Sequence, residues 1–470
     1  MNSTSELAYG NTNDIYTQGR VHRLIDNGTS LPQIDKGVVT QVGSDALSGD
    51  PRVLGFKDAN AAERALVISY NYDPSTWQPG DPEFVVCDPA VTLVSGKWPV
   101  IKTLTHGDWS QVSNPYGIAT IGSAMYIAEY DNGSVPKIDM TGDAYTQSAT
   151  LFYSFPAVSG NTAHCAGIGV ATINNATKIV ALFNQGQGYS SYIASTLALI
   201  DPVNPDPNPD STDPNKVPTI YLGPTSYYPN VSGLGQNAIS MAVDNGFAYV
   251  SSYGGPQQGG GNDESAIEAV NLSNLTIVGT HAAEGDGLGD FVSTVISGTD
   301  AFVLRAFYAT DPETYVTQYR YSIYKTTTSV LQSSGTALPT PFINNVAEPP
   351  ASAPGIYPGV TWLLALANGR LWAVLGDRIQ GYIASTPGGS PEFNLTTYGA
   401  SSSSILDDFN GDGHVNTASV VKETTVVMRG VATAASVCNH GARHPAFISH
   451  TPEALKLRKK LIEEWQAKKK

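Results

Sequence analysis

Residues Pro115 to Ser154 hold four short apolar strands with turn residues between them, and no other stretch constrains the fold as much. Pro115-Tyr-Gly-Ile-Ala-Thr leads to a turn at Gly122-Ser123. Met125-Tyr-Ile-Ala-Glu-Tyr130 ends at the tight turn Asp131-Asn-Gly133. Val135-Pro-Lys-Ile-Asp139 and Ala149-Thr-Leu-Phe-Tyr-Ser154 complete the unit. Asx-Gly turns between short β-favouring runs are the strongest local hairpin signal. The middle strands are apolar on both faces, as a sheet packed between two other sheets requires.

The unit recurs in degenerate form. An earlier copy has Arg64–Tyr70, Glu83–Asp88 and Pro99–Leu104, and a later one has Gly167–Thr172, Lys178–Phe183 and Leu197–Asp201. Ile239–Val243, Phe247–Val250 and Ala266–Val270 make a fourth. Phe291–Val295, Ala301–Leu304 and Tyr319–Tyr324 make a fifth, and Trp362–Leu366, Leu371–Leu375 and Ile379–Tyr382 a sixth. Second strands are spaced by roughly 55 to 70 residues, more than a compact repeat needs, so inserts sit between strands. A four-strand unit with two apolar faces is unstable alone and must be covered by neighbours. Radial stacking into a β-propeller does this without long open edges. A β-sandwich would not repeat one unit six times, and a β-helix would have shorter rungs.

Six copies fill Pro51 to Ala400, and two pieces remain. Ile405–Val421 with Thr424–Met428 read as the first two strands of a further blade. Gly19–Ile25 and Gly37–Val42 read as its last two. The expectation is an all-β, seven-bladed propeller over residues 1–431. Strands within about 14–43 and 405–430 close the ring by joining the two ends of the chain. Six blades are the fallback.

Pro115 to Asp139 resembles a blade of the YVTN or NHL type of bacterial propeller. The resemblance implies the fold, which hosts unrelated functions.

Asp408-Phe-Asn410-Gly-Asp412-Gly413-His414-Val-Asn416 is the most specific local motif. Oxygen-bearing side chains stand at positions 1, 3, 5 and 9, glycine at 6, and an apolar residue at 8. Alternate oxygens at this spacing curl around a hard cation, and Gly413 permits the sharp turn. The loop is similar to the DxNxDG loops of dockerins and of FG-GAP propeller blades. Position 12 is Ser419 rather than an acid, and the following Thr417–Val421 is strand-like, both of which favour the FG-GAP likeness. That likeness implies structural Ca2+, with Asp408, Asn410, Asp412, His414 and Asn416 as the site. The alternative is an Asx-rich turn held by its own side chains.

Charge and composition limit the function. The chain has 470 residues and a net charge of −15, which argues against nucleic acid. Charged residues are only 14% and hydrophobic ones 41%, so the chain is not disordered. No run of 18 apolar residues is present, so no membrane span is expected. Three cysteines, Cys87, Cys165 and Cys438, are too few for a disulfide scaffold. Sparse charge with abundant Asn, Ser, Thr and Tyr resembles exported bacterial proteins, giving an expected extracellular or periplasmic location, although no signal segment opens the chain.

Smaller features complete the reading. His281-Ala-Ala-Glu284-Gly-Asp286 to Asp290 joins the fourth and fifth copies and offers carboxylates or, more simply, a solvated loop. Asp201 to Pro218 is a Pro/Asp-rich insert, expected to be an exposed loop. Tyr227-Tyr228, Tyr253 and Gly259–Gly261 fall in inter-strand loops, where aromatics stack on sugars. Cys438, His440, His444 and His450 cluster before the tail, as a bland loop or as metal ligands. No hydrolase elbow, zinc-protease, phosphate-loop or dinucleotide motif is present.

Residues 432–470 change character. Thr451-Pro452-Glu453 is a helix start, and Ala454, Leu457, Leu461 and Trp465 share one face of an expected helix over about 452–467. From 451 to 470, seven basic residues stand against three acidic ones. This segment is therefore +4, and the remaining 450 residues carry −19. Leu457, Leu461 and Trp465 are the expected docking stripe, against the chain's own body, a neighbouring copy or an anionic surface.

The expected function is an exported binding or assembly module with a protein or glycan ligand on a propeller face and possible self-association through the tail helix. Two alternatives stay open. One is a metal-dependent hydrolase or lyase with its site at the axial channel, and the other a repeating subunit of a surface layer or filament.

Overall fold

The computed structural model describes residues 21–396 apart from 26–32, 40, 43–44, 47–51, 73–78, 90–93, 96–97, 142–144, 146–147, 188–191, 257–261, 264, 283–289, 311–316, 336–337, 348–361, 368 and 376–377. Six antiparallel sheets follow one another along the chain, and we call them blades I to VI. Blade I is Arg52–Lys57, Glu63–Tyr72, Pro79–Cys87 and Val100–Leu104. Blade II is Pro115–Ile121, Ala124–Glu129, Ser134–Asp139 and Thr150–Ser154. Blade III is Thr162–Ile173, Ala176–Gly186 and Ala194–Ile200, with two short pieces, Ile220–Leu222 and Leu234–Gln236, on its outer edge.

Blade IV is Ala238–Asp244, Phe247–Ser252, Ala266–Asn271 and Thr276–Ala282. Blade V is Asp290–Ser297, Asp300–Thr310, Thr317–Thr327 and Ile343–Ala347, and blade VI is Trp362–Ala367, Arg370–Leu375, Arg378–Ile383 and Phe393–Thr396. In every blade the strands pair in sequence order, except that Leu234–Gln236 of blade III pairs with Ala194–Ile200 beside Ile220–Leu222. Neighbouring blades meet through their first strands, which is the arrangement of a β-propeller. Ahead of blade I, Val21–Ile25 pairs with Gln33–Val39 as a hairpin, at the place where two left-over strands are expected.

The second strands form the core. Met125 to Ala128, Ile179 to Phe183, Ala248 to Val250 and Ala301 to Leu304 are buried on both strand faces. Burial on both faces needs a sheet above and below, and the adjacent blades supply them. The first strands approach closely because small residues stand there. A Cβ on Gly117 would lie 3.3 Å from Ile168, and one on Gly167 would lie 3.6 Å from Met241.

The first-to-second-strand turns are tight. Asn174 (φ 50°) and Asn175 (φ 64°) close blade III, and Asn245 (φ 47°) with Gly246 (φ 79°) closes blade IV. Consecutive positive φ values are the geometry of two-residue hairpins, which Asn and Gly tolerate.

The Pro/Asp-rich insert is more ordered than expected. Pro205–Asp206 pairs in parallel with Val217–Pro218. Asp201, Asp206, Asn208 and Asp213 each accept a backbone N–H two residues on, at 2.9 to 3.0 Å. Proline removes donors here, and Asx side chains take the remaining ones. The insert is fastened to blade II by the Tyr126 hydroxyl, which donates to the Pro202 carbonyl at 2.7 Å.

Candidate functional site

The two ends of the blades differ. At one end, near the axis, lie the tight first-to-second-strand turns. At the other end, second-to-third-strand hairpins project beyond the first strands. In blade I the pairing continues past Ile68, the partner of Arg52, to Tyr72. In blade V it continues past Ala306, the partner of Asp290, to Thr310 with Thr317. In blade IV an extra hairpin, Gly255–Pro256 with Asn262–Asp263, grows from the same connection. We call this the hairpin end.

The first strands of blades II to V each begin at the hairpin end with the same bulge. The register skips Tyr116, Ala166, Ile239 and Val292 in turn. A bulge at a recurring place re-aims the strand and the side chains around it. The residue after each bulge is small: Gly117, Gly167, Ser240 and Ser293. The second-strand residue opposite the bulge is Glu129, Phe183, Ser252 and Arg305 in blades II to V.

A belt of buried polar groups follows the bulges. Glu129 is 0% exposed. Its carboxylate accepts the N–H groups of Ser113 at 2.9 Å, Asn114 at 2.9 Å and Asp131 at 3.3 Å. Burial, followed by the neighbouring charge of Asp131, pushes its pKa up to about 8, against the lowering effect of those N–H bonds. Asn184 donates to the Ala238 carbonyl at 3.2 Å, and the Ala238 N–H donates to Ser195 at 3.0 Å. Ser251 and Thr294 share a hydrogen bond of 3.1 Å, and the Phe291 N–H donates to Ser265 at 2.9 Å. Each of these four links ties the hairpin end of one blade to the first strand of the next. Arg305, 2% exposed, stacks over Phe291 at 4.7 Å.

Between blades II and III the belt reaches the surface. Tyr116 stacks on Tyr130 at 4.3 Å, and Tyr130 stacks on His164 at 4.4 Å. His164 Nδ1 lies 3.0 Å from the Tyr130 carbonyl. Burial lowers the imidazole pKa, so the ring is neutral at pH 7. Asp131 and Asn132 are exposed beside it, and Asn114 donates to Asp131 at 2.8 Å. Tyr116 and Tyr130 are buried and brace the partly exposed His164 ring from below, so this corner presents an imidazole edge and the Asp131 carboxylate to solvent, groups that hydrogen-bond a polar ligand.

The opposite end carries ion pairs instead. Lys178 meets Asp201 at 3.0 Å, Lys325 meets Asp300 at 3.0 Å, and Arg370 meets Glu392 at 2.8 Å. In blade I, Arg64 bridges Asp58 at 2.7 Å and Asp88 at 3.2 Å. These pairs lock first-to-second and third-to-fourth strand turns together.

Asp408, Asn410, Asp412, His414 and Asn416, the docking stripe Leu457, Leu461 and Trp465, and the Cys438, His440, His444 and His450 cluster all lie outside the described residues. So do Glu284, Asp286 and Gly259–Gly261. His281 lies in the outer strand of blade IV, 7% exposed, with Nε2 3.0 Å from the Val330 carbonyl, and so serves packing. Cys87 and Cys165 are both fully buried. Among the described residues, no three His, Cys, Asp or Glu side chains converge as a metal site. No helix among them is long and apolar enough to cross a membrane.

No family model matches the chain, and no curated protein shows a significant match. Solved structures do. A 6-phosphogluconolactonase-like protein from Bacteroides uniformis is similar at 15% identity and a TM-score of 0.41, covering 78% of this chain and 92% of that one. A second, from Bacteroides fragilis, is similar at 12% identity and a TM-score of 0.42, covering 77% and 90%. A periplasmic gluconolactonase from Pseudomonas aeruginosa is similar at 13% identity and a TM-score of 0.39, covering 81% and 98%. Likeness of this degree carries nothing about activity, and the propeller assignment rests on the six sheets themselves.

Proposed function

We propose that this chain is an exported binding or assembly module that recognises a protein or glycan at the hairpin end of its propeller. One observation carries the reading: among the described residues, hairpins project at that end in blades I, IV and V, opposite the two-residue turns of blades II to V. Function concentrates on loops that a rigid scaffold positions. The belt of buried hydrogen bonds beneath the hairpins is that scaffold, because it fixes where each blade begins relative to the last. On this reading the terminal strands complete a seventh blade, and Ca2+ at Asp408 to Asn416 braces it.

The test is binding to arrayed glycans and to cell-surface protein fractions by lysine variants at exposed positions. Asn132→Lys and Thr162→Lys alter the hairpin end, and Thr172→Lys alters the opposite end. The reading expects any ligand captured by the unaltered protein to be lost at least tenfold in the first two and kept in the third. Loss only in Thr172→Lys contradicts it.

A second reading, a hydrolase or lyase, draws on the neutral His164 beside Asp131. It expects turnover of a sugar lactone or ester that His164→Ala abolishes without loss of substrate binding.

A further inference from the structure

The outer edge of blade III is unlike the rest of the described surface. Eleven large hydrophobic side chains are exposed among the described residues, and six of them fall between positions 203 and 231: Val203, Val217, Ile220, Tyr227, Tyr228 and Val231. They belong to one surface. The Val217 N–H donates to the Asn204 carbonyl at 2.8 Å, next to Val203. Ile220 opens the edge piece Ile220–Leu222, and Tyr228 lies between this piece and Leu234–Gln236 and bonds Asp210 of the insert. The surface is held in shape. The Tyr221 hydroxyl donates to the Pro207 carbonyl at 2.7 Å, and Thr219 N–H to Asp206 at 2.8 Å. A fixed apolar surface of this kind marks a contact site.

Its charge says what fits. From 201 to 233 the chain carries Asp201, Asp206, Asp210 and Asp213 against Lys216 alone. Asp201 is already paired with Lys178. The carboxylates of Asp206, Asp210 and Asp213 accept hydroxyl and backbone donors, and Lys216 is the one nearby cation, acting on Asp206, so the surface keeps a net negative charge with Asp210 and Asp213 exposed. The complementary shape is an apolar stripe flanked by cations.

One segment of this chain has that composition. Residues 452–467 place Leu457, Leu461 and Trp465 on one expected helical face, with Lys456, Arg458, Lys459 and Lys460 around it. The chain runs on for 55 residues between the last described strand residue region and this segment, at 397–451. The 20 residues from 432 to 451 alone could span about 25 Å as a random coil and about 65 Å fully extended, enough to follow the rim of a small domain. We propose that segment 452–467 docks in cis on the outer edge of blade III, with its apolar stripe on Val203, Val217 and Ile220 and its cations facing Asp206, Asp210 and Asp213. This contact is independent of which end of the ring binds ligand.

Zero-length carbodiimide cross-linking of the full chain, read by mass spectrometry, tests it. The expected links join Lys456, Lys459 or Lys460 to Asp206, Asp210 or Asp213 within the monomer fraction. Their yield falls at least tenfold in Ile220→Lys, whose side chain is 56% exposed and outside the core. It falls likewise in Leu461→Asp. Links confined to a dimer fraction, links to other acidic residues, or a yield unchanged in both variants would overturn the proposal.

Discussion

Substituting Glu129 by glutamine is expected to flatten the pH dependence of stability. The carboxyl is fully buried, and its pKa is pushed up to about 8 from an ordinary value near 4.5. Between those values the folded protein holds a proton that the unfolded chain has released. A raised acid favours folding at low pH, and the benefit is lost as pH rises through the folded value. The slope is about 1.4 kcal/mol per pH unit, with a ceiling of about 5 kcal/mol by pH 8. Glutamine keeps the shape and one carbonyl acceptor for Ser113, Asn114 and Asp131 but does not titrate. At pH 5 the variant is expected to be less stable by about 1–3 kcal/mol, because its amide group faces backbone donors. By pH 8 the unaltered protein has lost its advantage. The assay is the urea-unfolding midpoint of both proteins at pH 5, 6, 7, 8 and 9. Parallel curves, or an advantage of the unaltered protein that grows with pH, would refute the reasoning.

Three further outcomes are expected. Gly133→Ala places a Cβ 2.7 Å from Ala163 at φ +54°, whereas Gly122→Ala at φ +59° meets open space. Thermal melting is expected to show a loss of about 2–4 kcal/mol for the first and about 1 kcal/mol for the second. Arg64→Leu leaves the buried Asp58 carboxylate without its cation and is expected to cost about 3–5 kcal/mol in urea titration, mostly recovered by adding Asp58→Asn. If Asp408 to Asn416 holds Ca2+, chelator lowers the melting temperature of the unaltered protein, and Asp412→Ala is low already and insensitive to chelator. Equal melting in all four conditions leaves that loop a turn.

Most strands were legible because two-sided burial writes itself into sequence as short apolar runs between Asx-Gly turns. Phe247–Ser252 and Arg370–Leu375 stand out for that reason. The outer strands of blades I and II were legible too, at Val100–Leu104 and Thr150–Ser154, but those of blades III and IV were not. Thr276–Ala282 alternates exposed and buried residues, and Ile220–Leu222 is three residues long with partial exposure, so neither presents an apolar run. The hairpin end was hidden for a different reason. Ser195, Asn184 and Thr294 read in sequence as solvent-facing side chains, and only the packed blades show that they are buried and joined from one blade to the next. The bulges did leave a signal that strand reading passes over: the small residue at Gly117, Gly167, Ser240 and Ser293 just after the start of each first strand. Proline and aspartate mark the insert at Asp201 to Pro218 as a surface loop in sequence, but its order comes from Asx side chains and distant tyrosines.

Closure of the propeller by both ends of the chain is tested most directly by a cysteine pair. Arg23→Cys in the hairpin Val21–Ile25 is combined with Val426→Cys or, separately, with Leu395→Cys in the outer strand of blade VI. A seven-bladed ring predicts a disulfide within the monomer for Arg23 with Val426 and none for Arg23 with Leu395. A disulfide with Leu395 instead would contradict the seventh blade.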